Sequence, residues 1–197
     1  AYQLTFETKT KFYRDLMINK IKAIDENIAV EMFQVLNNIL KKNGYINYEI
    51  SNWSKPKRES IHNLRYWRKK NYLGFGPGAS SFLDNKRTTN IRSLKKYITN
   101  LQKSNLEFEE NYTLERDDIL IENIMLNLRL SYGINHDEFK SIFGINFNDV
   151  FSELINNLTQ YDLINSNSKS TRLTEKGKLL SDSIFLLFQE KIKSNSF

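Results

Sequence analysis

The chain has 197 residues, 40% of them hydrophobic and 26% charged, enough to bury a core as one large domain or two small ones and too apolar for disorder throughout. It contains no cysteine, which excludes disulfides, thiolate catalysis, thiolate zinc sites and an iron–sulfur cluster held by its own cysteines. The formal charge of +6 is split: residues 1–105 hold 20 Lys and Arg against 8 Asp and Glu (+12), residues 106–197 hold 9 against 15 (−6), and part of the lysine accompanies the abundant Asn and Ile of AT-rich codons.

The alternation Tyr2-Gln3-Leu4-Thr5-Phe6 predicts a strand cut out of a longer sheet, followed by a polar loop over residues 7–10. From Asp25 onward Ile28, Met32, Val35, Leu36, Ile39 and Leu40 recur at helical spacing, and Gly44 stands where a left-handed C-terminal cap belongs. Residues 45–50 read as a second strand. Strand, helix and strand then follow each other as in a βαβ unit of a parallel sheet, with the helix outside a barrel or open sheet. Residues 51–60 read as a polar loop, and the glycine-rich run of residues 74–79 as a turn. Residues 80–83 and 87–91 flank Asp84-Asn85-Lys86 as a hairpin. Leu94, Ile98 and Leu101 mark a short helix, and a boundary is expected near residues 103–112, where Glu107, Glu109 and Glu110 cluster.

The second half predicts a helix after an N-cap at Thr113, a shorter one over residues 137–143 and a third over 148–161. Residues 163–165 and 171–174 bracket a polar tip as a small wing, and a last helix follows Glu175-Lys176-Gly177. This order is the outline of a winged-helix module. No apolar run approaches the roughly 20 residues that span a bilayer, and the opening AYQLTFETK is not a leader, so a cytoplasmic chain with no transmembrane segment is expected.

Four features could carry chemistry. Residues 74–79 match GxGxxA, but a dinucleotide cradle needs a helix immediately afterwards; a hairpin and a type II turn at Pro77-Gly78 are expected instead. DNA binding through a winged helix needs cations on its third helix, and residues 148–161 contain no Lys or Arg, so no nucleic-acid partner is expected. If residues 60–71 are helical, His62 and Tyr66 share a face, with Arg65, Trp67, Arg68, Lys69 and Lys70 close by. An imidazole, aromatic rings and cations suit haem iron, its macrocycle and its carboxylates, although a single histidine is also commonly a structural one. Glu49 and Asn52 end the second strand, the rim where barrels bind ligands, and His136 reads as a capping or exposed residue with no chemistry.

Several motifs together resemble the radical SAM haem chaperone family, which is related to oxygen-independent coproporphyrinogen III oxidase. They are Tyr2, Leu4, Glu7 and Thr10; Gly44-Tyr45; Tyr48-Glu49-Ile50-Ser51-Asn52-Trp53; His62-Asn63-Leu64-Arg65-Tyr66-Trp67; Tyr72-Leu73 with Gly74-Phe75-Gly76-Pro77-Gly78-Ala79; Arg87 with Asn90; and Leu173-Thr174-Glu175-Lys176-Gly177. The resemblance implies an α/β part, the last strands and helices of an incomplete (β/α) barrel in residues 1–105, and a mainly helical, winged-helix-like domain in 106–197. It also implies that the chain is a C-terminal fragment, whose earlier half would hold the [4Fe-4S] cluster and the S-adenosylmethionine motif.

In this family HNxxYW, here His62, Asn63, Tyr66 and Trp67, marks the chaperones and not the oxidases. The resemblance thus implies a protein that binds haem and hands it to acceptor haem proteins. His62 would ligate the haem iron, with Asn63, Arg65, Tyr66, Trp67 and Arg68 around the porphyrin. Tyr2, Glu49, Asn52, Gly74, Gly76 and Gly78 would shape the barrel mouth. Ser80 stands where many relatives have histidine. The alternative is the oxidase itself, decarboxylating porphyrinogen propionates.

Overall fold

The computed structural model describes residues 2, 4–105 and 107–195. It is a mixed helix and sheet fold whose contacts divide it into two compact units, Ala1–Ser60 and Ile61–Phe197.

In the first unit Thr10 caps α1 (Lys11–Met17) by accepting the Tyr13 N–H at 3.2 Å. Asp25 caps α2 (Glu26–Lys42), accepting from the N–H groups of Asn27 and Ile28, while Lys41 and Lys42 lie in the last turn where the helix dipole favours cations. Helix α2 stops as expected: Gly44 is left-handed (φ +72°), and the Tyr45 N–H folds back to the Leu40 carbonyl at 2.9 Å. Its other anchor is Asn37, buried beneath Trp53, whose indole N–H donates to Asn37 Oδ1 at 3.0 Å. The stripe Ile28, Met32, Val35 and Ile39 is exposed.

The parallel βαβ reading does not hold among the described residues. Strand β1 (Ile46–Glu49) pairs antiparallel with β2 (Asn52–Ser54), which lies in the expected polar loop. Residues 2 and 4–6 belong to no strand, and Gln3 lies outside the described residues. The reason is local: a turn at Ile50-Ser51 lets β1 satisfy its backbone with the next few residues, so residues 2–6 are not called on as a partner.

The second unit opens with α3 (Ile61–Trp67). Strands β3 (Ser80–Leu83), β4 (Lys86–Asn90) and β5 (Phe108–Thr113) form an antiparallel sheet in that order. The β3–β4 hairpin turns on Asp84 and Asn85, both at positive φ as a two-residue primed turn requires. Between β4 and β5 runs α4 (Leu94–Gln102), capped by Ser93. The acidic stretch expected as a boundary is therefore mostly strand: Glu110 accepts from Thr89 Oγ1 at 2.8 Å, and Glu109 accepts the Arg92 N–H at 2.9 Å. The β4–β5 ladder crosses position 105, whereas the contact division falls after Ser60.

Helix α5 (Arg116–Arg129) is capped by Glu115 in a reciprocal box with Asp118, because Thr113 is spent on β5. Leu120, Ile121, Ile124 and Leu128 on α5 are buried, as are Ile184, Phe185, Phe188 and Ile192 on the last helix, α10 (Ser181–Asn195), which packs against it. Between them come β6 (Ile134–Asn135), α6 (His136–Phe143), α7 (Phe147–Val150), α8 (Ser152–Gln160), β7 (Ile164–Ser166), β8 (Ser170–Leu173) and α9 (Glu175–Leu179). The expected third helix is broken at Phe151, which is fully buried. The sheet order is β6-β8-β7. Gly177 is required at its position in α9, since a Cβ there would lie 1.8 Å from the Leu163 carbonyl oxygen.

Candidate functional site

Helix α3 places His62 and Tyr66 on one face. The His62 ring meets the Tyr66 ring edge-on (centroids 4.9 Å, 88°), as one turn of helix dictates. Lys69 in the left-handed region (φ +51°) ends the helix, its N–H returning to the Tyr66 carbonyl at 2.9 Å. The reversed chain brings Tyr72 onto Tyr66 (4.7 Å, 76°) and into a two-way backbone pair with Phe82 of β3, whose ring lies 6.2 Å from that of Tyr72. A ladder of four rings results: His62, Tyr66, Tyr72 and Phe82. His62 is exposed, and neither ring nitrogen has a hydrogen-bond partner among the described residues.

The neighbouring site candidates point elsewhere. Trp67 packs under Arg129 of α5, the guanidinium carbon 4.4 Å from its ring centre, and its indole N–H is buried without a partner. Arg68 donates to Tyr132 Oη at 3.3 Å, and Arg65 reaches the Asn71 carbonyl at 3.5 Å; both arginines remain exposed. Asn63 is half-buried.

The glycine run forms the expected type II turn: Gly78 has φ +72° and the Ala79 N–H returns to the Gly76 carbonyl. Each of its glycine amides is already used. Gly74 donates to Ser81 Oγ at 2.9 Å, Gly76 to Tyr97 Oη at 3.2 Å and Gly78 to the Ile91 carbonyl at 3.2 Å. Asn90 holds the turn from below by donating to the Gly76 carbonyl at 2.9 Å. Strand β3 follows directly, so neither the amides nor a helix end are available to a pyrophosphate.

In the first unit Tyr2, Glu49 and Asn52 do come together. Glu49 is fully buried, and its Oε1 accepts from the Ser51 N–H at 3.0 Å and from Asn52 Nδ2 at 2.6 Å; Asn52 Nδ2 also reaches Tyr2 Oη at 3.0 Å. This carboxylate braces the β1–β2 turn.

Two features escaped the sequence reading. His136 is buried, contrary to the capping or exposed role expected. Its Nε2 lies 2.9 Å from Thr171 Oγ1, Asn148 Nδ2 lies 3.3 Å from Nδ1, and the ring stacks on Phe147 at 5.5 Å. Burial pushes its pKa below the ordinary histidine value, against smaller opposing effects from the Ser168 backbone and Asp137. The second is a charged cluster joining the α3 segment, β4 and α5. Glu122 Oε1 lies 3.0 Å from Arg87 Nη2, and Glu122 Oε2 lies 3.4 Å from Lys69 Nζ. No sequence signal links residue 122 to residues 69 and 87. Among the described residues no three His, Cys, Asp or Glu side chains cluster as metal ligands, and no helix is long and apolar enough to cross a membrane.

Comparisons with known proteins follow the same lines. The HemN C-terminal domain family model matches residues 114–180. Heme chaperone HemW of Bacillus subtilis (strain 168) is 29% identical over 188 residues, covering 95% of this chain and 50% of that protein. HemW of Lactococcus lactis subsp. lactis (strain IL1403) is 29% identical over 187 residues, covering 95% and 49%. HemW of Buchnera aphidicola subsp. Acyrthosiphon pisum (strain APS) is 31% identical over 187 residues, covering 95% and 48%. Among solved structures, coproporphyrinogen III oxidase (HemN) from Escherichia coli, described as a radical SAM enzyme, superposes with a TM-score of 0.65 at 20% identity, covering 81% of this chain and 40% of that one. The chain thus resembles the radical SAM haem chaperones and spans about half the length of the curated relatives it matches.

Proposed function

We propose that the chain is the haem-handling part of a haem chaperone, binding haem through His62 and passing it to acceptor haem proteins. One observation carries the reading: an exposed imidazole with no hydrogen-bond partner among the described residues, on a helix face it shares with Tyr66. A histidine kept for structure is hydrogen-bonded, as His136 is; His62 leaves a nitrogen lone pair open to iron. Tyr66 offers an apolar ring beside the ligand, Asn63 and Trp67 frame the helix, and the exposed Arg65 and Arg68 meet propionates.

The relatives named above are haem chaperones, whereas the oxidase structure is alike in fold at 20% identity, which supports the chaperone reading over the oxidase. Under this reading residues 1–105 are the end of a partial (β/α) barrel. Tyr2, Glu49, Asn52 and the Gly74, Gly76 and Gly78 turn belong to its mouth. Residues 106–197 form a winged-helix-like domain, to which the order β6, α6, α7, α8, β7, β8 lends support. The intact protein would work in the cytoplasm with S-adenosylmethionine and a [4Fe-4S] cluster. With no cysteine, this chain supplies no thiolate to such a cluster.

Titrating haem into the chain and following the Soret band tests the proposal. Wild type should give a saturable shifted band, and His62→Ala should lose it or bind at least ten-fold more weakly; identical spectra and affinities would remove His62 from the role. Robust formation of protoporphyrinogen by the full-length protein would favour the oxidase.

A further inference from the structure

We propose that Lys69 and Arg87 form a carboxylate-binding pair in which Glu122 is an internal stand-in, displaced when a propionate of the bound porphyrin arrives. The proposal rests on the haem reading and adds to it a site on the other side of the HNxxYW helix end.

The observation lies in the bonding of the cluster. Two cations converge on the Glu122 carboxylate, and Asp118 adds a second negative charge that acts on Lys69. The directional bonding is incomplete. Arg87 Nε is shielded from solvent with no hydrogen-bond partner among the described residues, and the Lys69 Nζ–Glu122 Oε2 ion pair is long, at 3.4 Å. Buried polar atoms are almost always satisfied, so the unused Arg87 Nε calls for a partner. Glu122 meets Arg87 through Nη2 alone, leaving Nε unused. A carboxylate lying side-on to the guanidinium would engage Nε and Nη2 together and bring its second oxygen towards Lys69.

The surroundings fit an exchangeable occupant. The Glu122 side chain keeps 22% of its surface, so it has a route out to water, whereas Lys69 keeps 14%. Lys69 holds a left-handed backbone (φ +51°) that a non-glycine residue adopts at a cost, and its amine meets Glu122 of α5. Burial is the main influence lowering the Lys69 pKa, opposed chiefly by its pairing with Glu122. Phe82 ties the pair to the ring ladder: Lys69 Nζ lies 5.5 Å and Arg87 Cζ 5.8 Å from its ring centre, and the same ring continues through Tyr72 and Tyr66 to His62.

The test compares haem with haem dimethyl ester, in which the propionates are esterified and the iron is unchanged, on the whole 197-residue chain. Wild type should bind haem more tightly than the diester. Arg87→Gln and Lys69→Gln should each shrink that preference by about ten-fold, the worth of one charge-assisted hydrogen bond. Glu122→Gln should tighten haem several-fold and leave the diester unchanged. The diester is an internal control, because a variant that unfolds loses both ligands alike. An unchanged ratio of haem to diester affinity in Arg87→Gln and Lys69→Gln would overturn the proposal. Failure of the axial-ligand reading looks different: His62→Ala would then bind both ligands as wild type does, while the ratio still reports on Lys69 and Arg87.

Discussion

Replacing Gly177 with alanine sets two physical effects against each other. Gly177 lies inside α9 at an ordinary helical φ, where alanine is favoured over glycine by about 1 kcal/mol on propensity alone. The packing opposes this. The new methyl would stand 1.8 Å from the Leu163 carbonyl oxygen, 2.9 Å from its carbon and 3.3 Å from its Cα. The obstacle is main chain, and Leu163 O already accepts the Thr174 N–H at 3.0 Å, so it has little room to yield. Relief requires α9 to move away from the α8–β7 connection by more than 1 Å, roughly the shortfall from an ordinary van der Waals contact. Overpacking of this kind costs about 1–3 kcal/mol or more, and loss of the Thr174 hydrogen bond adds about 1 kcal/mol. The net expectation is destabilisation by about 1–3 kcal/mol, equivalent to a fall in Tm of roughly 3–12 °C for a unit of this size. Thermal unfolding followed by far-UV circular dichroism measures it. A variant as stable as wild type, or more so, would refute the contact argument and leave propensity in charge.

Acid should weaken the C-terminal fold through His136. Its folded pKa lies below the unfolded value, so the unfolded chain takes up a proton that the folded ring resists; the contribution is complete above about pH 6.5 and is lost as pH falls below it. Denaturant midpoints at about pH 7.5 and 5.5 should drop more for wild type than for His136→Gln, and parallel drops would contradict this. Thr171→Val removes the hydroxyl between His136 Nε2 and Ser166 Oγ and should cost about 1–3 kcal/mol in urea unfolding; a neutral result would show that the chain of hydrogen bonds contributes nothing. Glu49→Ala strips the acceptor shared by Ser51 and Asn52 and should destabilise the first unit by about 1–3 kcal/mol, seen as faster amide exchange over residues 46–54.

Local chemistry was readable in the sequence and long-range pairing was not. The Gly44 stop, the Pro77-Gly78 turn and the hairpin at Asp84-Asn85-Lys86 each depend on residues within a few positions, and all formed, the last with Lys86 already in the strand. The His62–Tyr66 face follows from helical spacing in the same way. The β1–β2 hairpin was missed because the alternation of residues 45–50 fits a parallel or an antiparallel neighbour equally well. Strand β5 was missed because its glutamates look solvated until Thr89 and Arg92 are placed beside them. His136 does open α6, but its burial was missed because its partner Thr171 lies 35 residues away. Trp67 and Lys69 could not be aimed at all, since Arg129 and Glu122 on α5 become their neighbours only after the chain has built a whole sheet in between.

The two tryptophans are divided between the units, Trp53 against Phe33 and Asn37 in the first and Trp67 against Arg129 in the second. Intrinsic emission therefore gives each unit its own optical probe. With Trp53 changed to phenylalanine, the surviving indole sits one residue from Tyr66, so an arriving porphyrin would quench it by energy transfer. Under the haem proposal, the helix that carries His62 thus also carries a built-in meter of its loading.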